Sequence, residues 1–91
     1  MTFQEILDKS LNELYRFAED NGYGEWCDVE ELAASLRINQ TDKLALVLTE
    51  MAKIHIIEAE GVDLKHEFTV EKVRIAAHGL RLVEEGVGRE G

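Results

Sequence analysis

The sequence predicts a single α+β domain in which helices dominate: a three-helix bundle, a two- or three-stranded β-hairpin and a short C-terminal helix. The first supporting observation is the stretch 41–57, where apolar residues at helical spacing run into β-branched residues without Gly or Pro between them. The second is a pair of amphipathic segments before that stretch, at 2–20 and 28–38. The third is the segment 68–75, whose apolar residues alternate as in a strand.

Length and composition limit the class of protein. A chain of 91 residues can bury one core, and 45% hydrophobic with 32% charged residues is typical of a globular domain. We expect one domain over 1–86 and a flexible tail over 87–91. The sequence shows neither a leader-like start nor a membrane-length apolar run, and its lone Cys27 has no disulfide partner, so we expect a cytoplasmic protein.

The first helix is expected over 2–20. Thr2 and Glu5 have the spacing of a capping box, and Asn21-Gly22 supplies the stop. Its apolar residues spread over about half of the helix circumference, more than one core contact requires. Either the domain wraps this helix on two sides, or the surplus covers a second copy of the chain. The candidate dimer face consists of Phe3, Leu7, Leu11 and Tyr15.

The remaining elements follow from caps and alternation. Asp28 is predicted to cap the second helix, after a short extended piece at 25–27. A hairpin connection is expected within 58–67, and the alternating pattern of the returning strand slips by one residue across Glu71-Lys72, which predicts a β-bulge. A last helix is expected from Ala76 to Glu85.

Two segments carry a resemblance. The ending Val-Arg-Ile-Ala-Ala-His-Gly-Leu-Arg-Leu-Val-Glu-Glu, at 73–85, looks like the strand-to-helix segment that closes many prokaryotic winged helix-turn-helix domains. Residues 28–38 resemble the second helix of that superfamily, although Ala76 stands where a Thr is usual. The resemblance covers 26–85 and implies a winged helix, whose third helix and wing contact DNA in many members and a protein in others.

The charge distribution disfavours a nucleic acid. The net charge is −9, and residues 1–31 account for most of it, with nine acids against Lys9 and Arg16. The expected wing, 58–71, holds five acids against Lys65, a sign that phosphates would repel. The outward face expected for helix 41–53 presents an apolar Leu46 and one cation near its end, Lys53.

The favoured hypothesis is therefore a non-enzymatic, regulatory winged-helix module that acts through protein–protein contacts, by self-association, by docking to a basic partner, or both. The alternative is a DNA-binding transcriptional regulator that uses helix 41–53 and the wing. The candidate docking or DNA-reading face comprises Gln40, Thr41, Lys43, Leu46, Thr49 and Lys53. The candidate phosphate contacts are Arg37, Lys65, Lys72 and Arg74.

No catalytic, metal or cofactor site is predicted. His55, His66 and His78 lack the spacing of a metal motif, and no phosphate loop or nucleophile elbow occurs. Acids surround Cys27 and oppose a lowered thiol pKa, so we expect a buried structural cysteine. Neither a membrane nor a small-molecule substrate is expected as a partner.

Overall fold

The computed structural model describes residues 2–39, 41–64 and 67–86, with the side chains of all of these except 41, 62–64 and 67–69. Over those ranges the chain forms four helices and one antiparallel sheet of three strands in the order β1-β3-β2. The elements are α1 (Phe3–Asn21), β1 (Cys27–Asp28), α2 (Val29–Leu36), α3 (Thr41–Lys53), β2 (Ile57–Leu64), β3 (Glu67–Ile75) and α4 (Ala77–Glu84). The predicted α+β class, mostly helical, is confirmed. The tail expected at 87–91 lies outside the described residues.

Helix α1 begins with the predicted capping box. The Thr2 hydroxyl accepts a bond from the Glu5 backbone N–H at 3.2 Å, and the Glu5 carboxylate accepts from the Thr2 N–H at 3.5 Å. At the other end, Gly22 has φ 116°, a conformation that favours glycine, and its N–H donates to the carbonyl of Ala18. Both predicted ends of the helix are therefore confirmed.

The wide apolar surface of α1 is used within the chain. Helix α1 contacts α2, α3, α4 and β3. As a result Leu11 has no exposed surface, so it lies in the core and not on a face open to a second copy. Leu7 and Tyr15 are partly buried against the same core, and Phe3 alone of the four candidate dimer residues is exposed, at 45%. The domain wraps this helix on several sides.

The junction between α3 and β2 differs from the expectation. Instead of running straight into a strand, α3 ends in a turn where His55 adopts the left-handed φ of 65°. The His55 N–H donates to Ala52 and the Ile56 N–H donates to Met51, the bond pattern of a Schellman motif. The turn leaves Ile54 55% exposed and buries Ile56.

The predicted bulge is present in the hairpin. Glu60 pairs with Lys72, whereas the next residue of β2, Gly61, pairs with Val70, so Glu71 is the extra residue. Because of this insertion, Val70 and Val73 both lie in the core although three positions separate them.

Helix α4 packs closely on the α3–β2 turn. The Ala76 N–H donates to the carbonyl of Ile56 at 3.1 Å, and a β-carbon added to Gly79 would overlap that same carbonyl. Position 79 therefore requires glycine because no side chain fits between α4 and the turn.

The core lies between the helices and one face of the sheet. Its fully buried members include Leu14 of α1, Leu32 of α2, Leu48 of α3, Val73 of β3 and Val83 of α4. Asp28 occupies the N-cap position of α2 as predicted, but its side chain makes no capping bond. Among the residues whose side chains are described, the outer face of the sheet carries exposed charged residues, including Glu58, Glu60 and Lys72.

Candidate docking surfaces

The outward face of α3 combines an exposed leucine with compensated charge. Leu46 is 67% exposed, more than any other large hydrophobic residue whose side chain is described. One turn further on, Glu50 binds Lys53, with Nζ to Oε1 at 3.2 Å. The Thr49 hydroxyl donates to the carbonyl of Ala45 at 2.8 Å, so its proton is directed back at the helix.

A second exposed apolar residue, Ile54, lies beyond the Glu50–Lys53 pair at the end of α3. Ile54 follows Leu46 by eight residues, about 12 Å along a helix axis, and its N–H still donates to the carbonyl of Glu50. We call Leu46, Glu50, Lys53 and Ile54 the α3 outer face. Of the other residues expected on this face, Lys43 is half-buried, the Thr41 side chain is not described, and Gln40 lies outside the described residues.

Arg74, a predicted phosphate contact, is held by groups of its own chain. Its Nε and Nη2 donate to one oxygen of Glu58 at 3.1 and 2.7 Å, and its Nη1 donates to the carbonyl of Gly24 at 3.1 Å. The guanidinium carbon lies 4.3 Å from the centroid of the Trp26 ring. These bonds engage three of the five N–H donors of the guanidinium and leave at most two for a phosphate.

Carboxylates also flank the second cation of this strand. Lys72 is exposed, and its register partners are Glu60 on β2 and Asp28 on β1. Side chains directly opposite each other on neighbouring strands lie close together, so the outer face of the sheet alternates in sign across its width. The electrostatic potential around Lys72 is therefore determined by two acids, Glu60 and Asp28, and by Lys72 itself.

The candidate phosphate contacts belong to different elements of the fold. Arg37 is exposed at the end of α2, where its φ of 57° is left-handed, whereas Lys72 and Arg74 belong to β3. Lys65 lies outside the described residues. The cluster of Trp26, Glu58 and Arg74 was not predicted from the sequence. The one available signal was that two acids before the hairpin turn, Glu58 and Glu60, are matched by two bases after it, Lys72 and Arg74.

Cys27 is buried, as predicted, in an environment that disfavours its thiolate. Burial, followed in order of importance by the negative charges of Glu31, Asp28 and Glu13, raises the pKa of the thiol from 9.0 to about 11. The thiol stays protonated at neutral pH, which makes it a poor nucleophile and a poor metal ligand.

Neither a metal-binding cluster nor a membrane-spanning helix is found among the described residues. In the described part of the chain, no three His, Cys, Asp or Glu side chains are grouped as a metal ion would require. None of the helices there is both long and apolar enough to cross a membrane.

Comparison with known proteins gives no relative. The chain matches no protein-family profile, no curated protein and no solved structure.

Proposed function

We propose that this chain is a winged-helix module without catalytic activity that docks to another protein through the α3 outer face. The winged-helix assignment is supported by the order of the elements, with three helices, a short strand between the first two, and a hairpin that pairs with that strand before a last helix. It is supported also by Gly79, which stands where the superfamily's closing segment has its glycine and has a steric reason to be there.

The exposure of Leu46 is the observation that carries the docking proposal. A leucine that is 67% exposed in the middle of a helix supplies an apolar anchor, and Ile54, 55% exposed, supplies a second at the helix end. The cation beside them, Lys53, is already paired with Glu50. Such a face suits an apolar protein surface better than the phosphates and base edges of a DNA groove.

The partner is expected to be basic around its apolar contact. The chain has a net charge of −9, and residues 1–31 hold nine acids against two bases. Complementary charge accelerates encounter and excludes partners of the same sign. Self-association through α1 has less support, because Leu11 is buried in the core of its own chain.

A DNA-binding regulator is the second candidate. It is favoured by Arg37 and Lys72, both of which are exposed and form no ion pair with a residue whose side chain is described. Two cations on separate elements would contribute a small electrostatic attraction to the phosphates of DNA. Binding through that attraction weakens steeply as salt rises.

The test compares two probes on the same set of variants. The first is a labelled random-sequence DNA duplex at low ionic strength, and the second is a synthetic amphipathic helix with leucines on one face and lysines on the other. We expect the peptide to bind, with amide shifts centred on Leu46 and Glu50, and the duplex to remain unbound.

Leu46→Lys is the deciding variant. It should abolish peptide binding, whereas Ala34→Lys, which adds the same charge at an exposed position of α2, should not. Duplex binding that falls with added salt and survives or improves in Leu46→Lys would reverse the order of the two candidates. Equal peptide binding by both variants would exclude the α3 outer face.

A further inference from the structure

We infer that the free edge of β2 accepts an extended, basic segment of a partner protein as a fourth strand of the sheet. Among the described residues, the sheet order β1-β3-β2 leaves β2 paired on one side only. The inference rests on the proposed protein-binding function, but it uses a surface separate from the α3 outer face, so the two can fail independently.

The direction of the backbone groups on β2 follows from one hydrogen bond. The Ala76 N–H donates to the carbonyl of Ile56, so the carbonyl at position 56 faces the β3 side of β2. In an antiparallel pair, residues alternate between facing the neighbouring strand and facing away from it. Glu58 and Glu60 therefore bond to β3, whereas Ala59 and Gly61 present their N–H and carbonyl groups to the open side.

The open groups have the properties that strand addition requires. No described residue bonds to the N–H or carbonyl of Ala59 on that side. Gly61 has no side chain to obstruct an approaching backbone. An extended peptide that adds to such an edge gains main-chain hydrogen bonds from each alternate residue.

The charge of the edge selects the occupant. Among the β2 side chains that the structure describes, the exposed ones are Glu58 and Glu60, on the outer face of the sheet. The whole segment 58–71 holds five acids against one base. A second copy would bring its own acids against these, and like charges on adjacent strands are destabilising. A strand with alternating basic and apolar residues would instead place its cations beside the glutamates and its apolar side chains beside Ala59.

The probes are two fluorescently labelled heptapeptides that alternate lysine with valine. One has an ordinary backbone, and the other carries N-methyl groups on alternate residues, which remove the N–H donors but keep the charge. We expect the ordinary peptide to bind, with amide shifts confined to 57–61, and the methylated peptide to bind roughly tenfold more weakly or not at all.

Variants locate the binding on β2. Ala59→Pro removes an N–H that faces the open side and none that bonds to β3, so it should abolish binding while the helical circular dichroism is kept. If that variant does not fold, Glu60→Lys serves, because it keeps every backbone bond and reverses the charge beside the edge. Leu46→Lys should bind the peptide as wild type does, which separates this surface from the α3 outer face.

Three results would overturn the inference. Equal binding of the methylated and ordinary peptides would show charge attraction alone. Unchanged binding by Glu60→Lys would place the peptide elsewhere. Sedimentation showing a dimer that Ala59→Pro dissociates would assign the edge to a second copy of the chain.

Discussion

Gly79 and the carbonyl of Ile56 are in such close contact that a β-carbon at position 79 would overlap the Ile56 oxygen and lie 3.0 Å from a side-chain carbon of Ile75. The same carbonyl accepts the bond from Ala76 that leads into α4. Helix α4, the α3–β2 turn and the end of β3 therefore meet at one glycine.

Gly79→Ala should destabilise the domain by about 1–3 kcal/mol, since backbone must move to admit the methyl group, despite the gain in helix propensity. Urea unfolding followed by circular dichroism measures the change. Gly24→Ala is the matched control, because a β-carbon there meets no atom within 4 Å. Equal stability of the two variants would contradict the close approach.

Arg74→Ala should lower the free energy of unfolding by about 1–2 kcal/mol, because it removes both the ion pair with Glu58 and the contact with the Trp26 ring. Trp26 is the sole tryptophan, so its fluorescence reports directly on this contact. Lys72→Ala, a neighbouring exposed cation on the same strand, is the control and should change stability by less than about 0.5 kcal/mol. An unchanged emission spectrum in Arg74→Ala would refute the contact.

Cys27 should make stability depend on alkaline pH. The folded state holds the thiol pKa at about 11, above its ordinary 9.0, so the unfolded state loses the proton first as pH rises. The contribution is fully present below pH 9.0, declines between 9.0 and about 11, and is lost above that. The measurement is the urea midpoint of wild type minus that of Cys27→Ala across this range, and a constant difference would contradict the raised pKa.

His55→Gly should raise the free energy of unfolding by roughly 0.5 kcal/mol. Glycine adopts the left-handed conformation without the steric cost that histidine has there, and this gain slightly exceeds the larger loss of backbone entropy that glycine undergoes on folding. His55 has φ 65° and is exposed, so no packing is removed. The same change at His78, exposed within α4, should lower stability by roughly 0.5–1 kcal/mol. Thermal unfolding of the two variants should therefore shift in opposite directions.

Ser10→Ala should stabilise the domain by about 1 kcal/mol. The Ser10 hydroxyl is fully buried and has no hydrogen-bond partner among the described residues, so its removal relieves a desolvation cost. Ser35→Ala, at an exposed position of α2, gains helix propensity alone and measures that smaller part of the effect. A loss of stability in Ser10→Ala would indicate a bonded hydroxyl.

Local pattern was enough to predict most of the elements. The capping box of Thr2 and Glu5 and the bulge at Glu71 depend on residues close together in the chain, and both are confirmed. Helix α4 begins one residue later and ends one residue earlier than predicted, at Ala77 and Glu84, because Ala76 acts as its N-cap. Periodicity and capping are governed by backbone geometry, which the sequence expresses directly.

Only the tertiary structure decided which apolar residues are exposed and which charged residues have no partner within the chain. Packing around α1 covers Leu11, a candidate for the dimer face, and the left-handed turn at His55 leaves Ile54 exposed. Arg74 is engaged because the hairpin register brings Glu58 opposite to it and β1 brings Trp26 above it. The sequence by itself determined the helices, the hairpin and the acidic surface; the availability of a side chain depends on contacts between residues far apart in the chain, and those exist only once the core has formed.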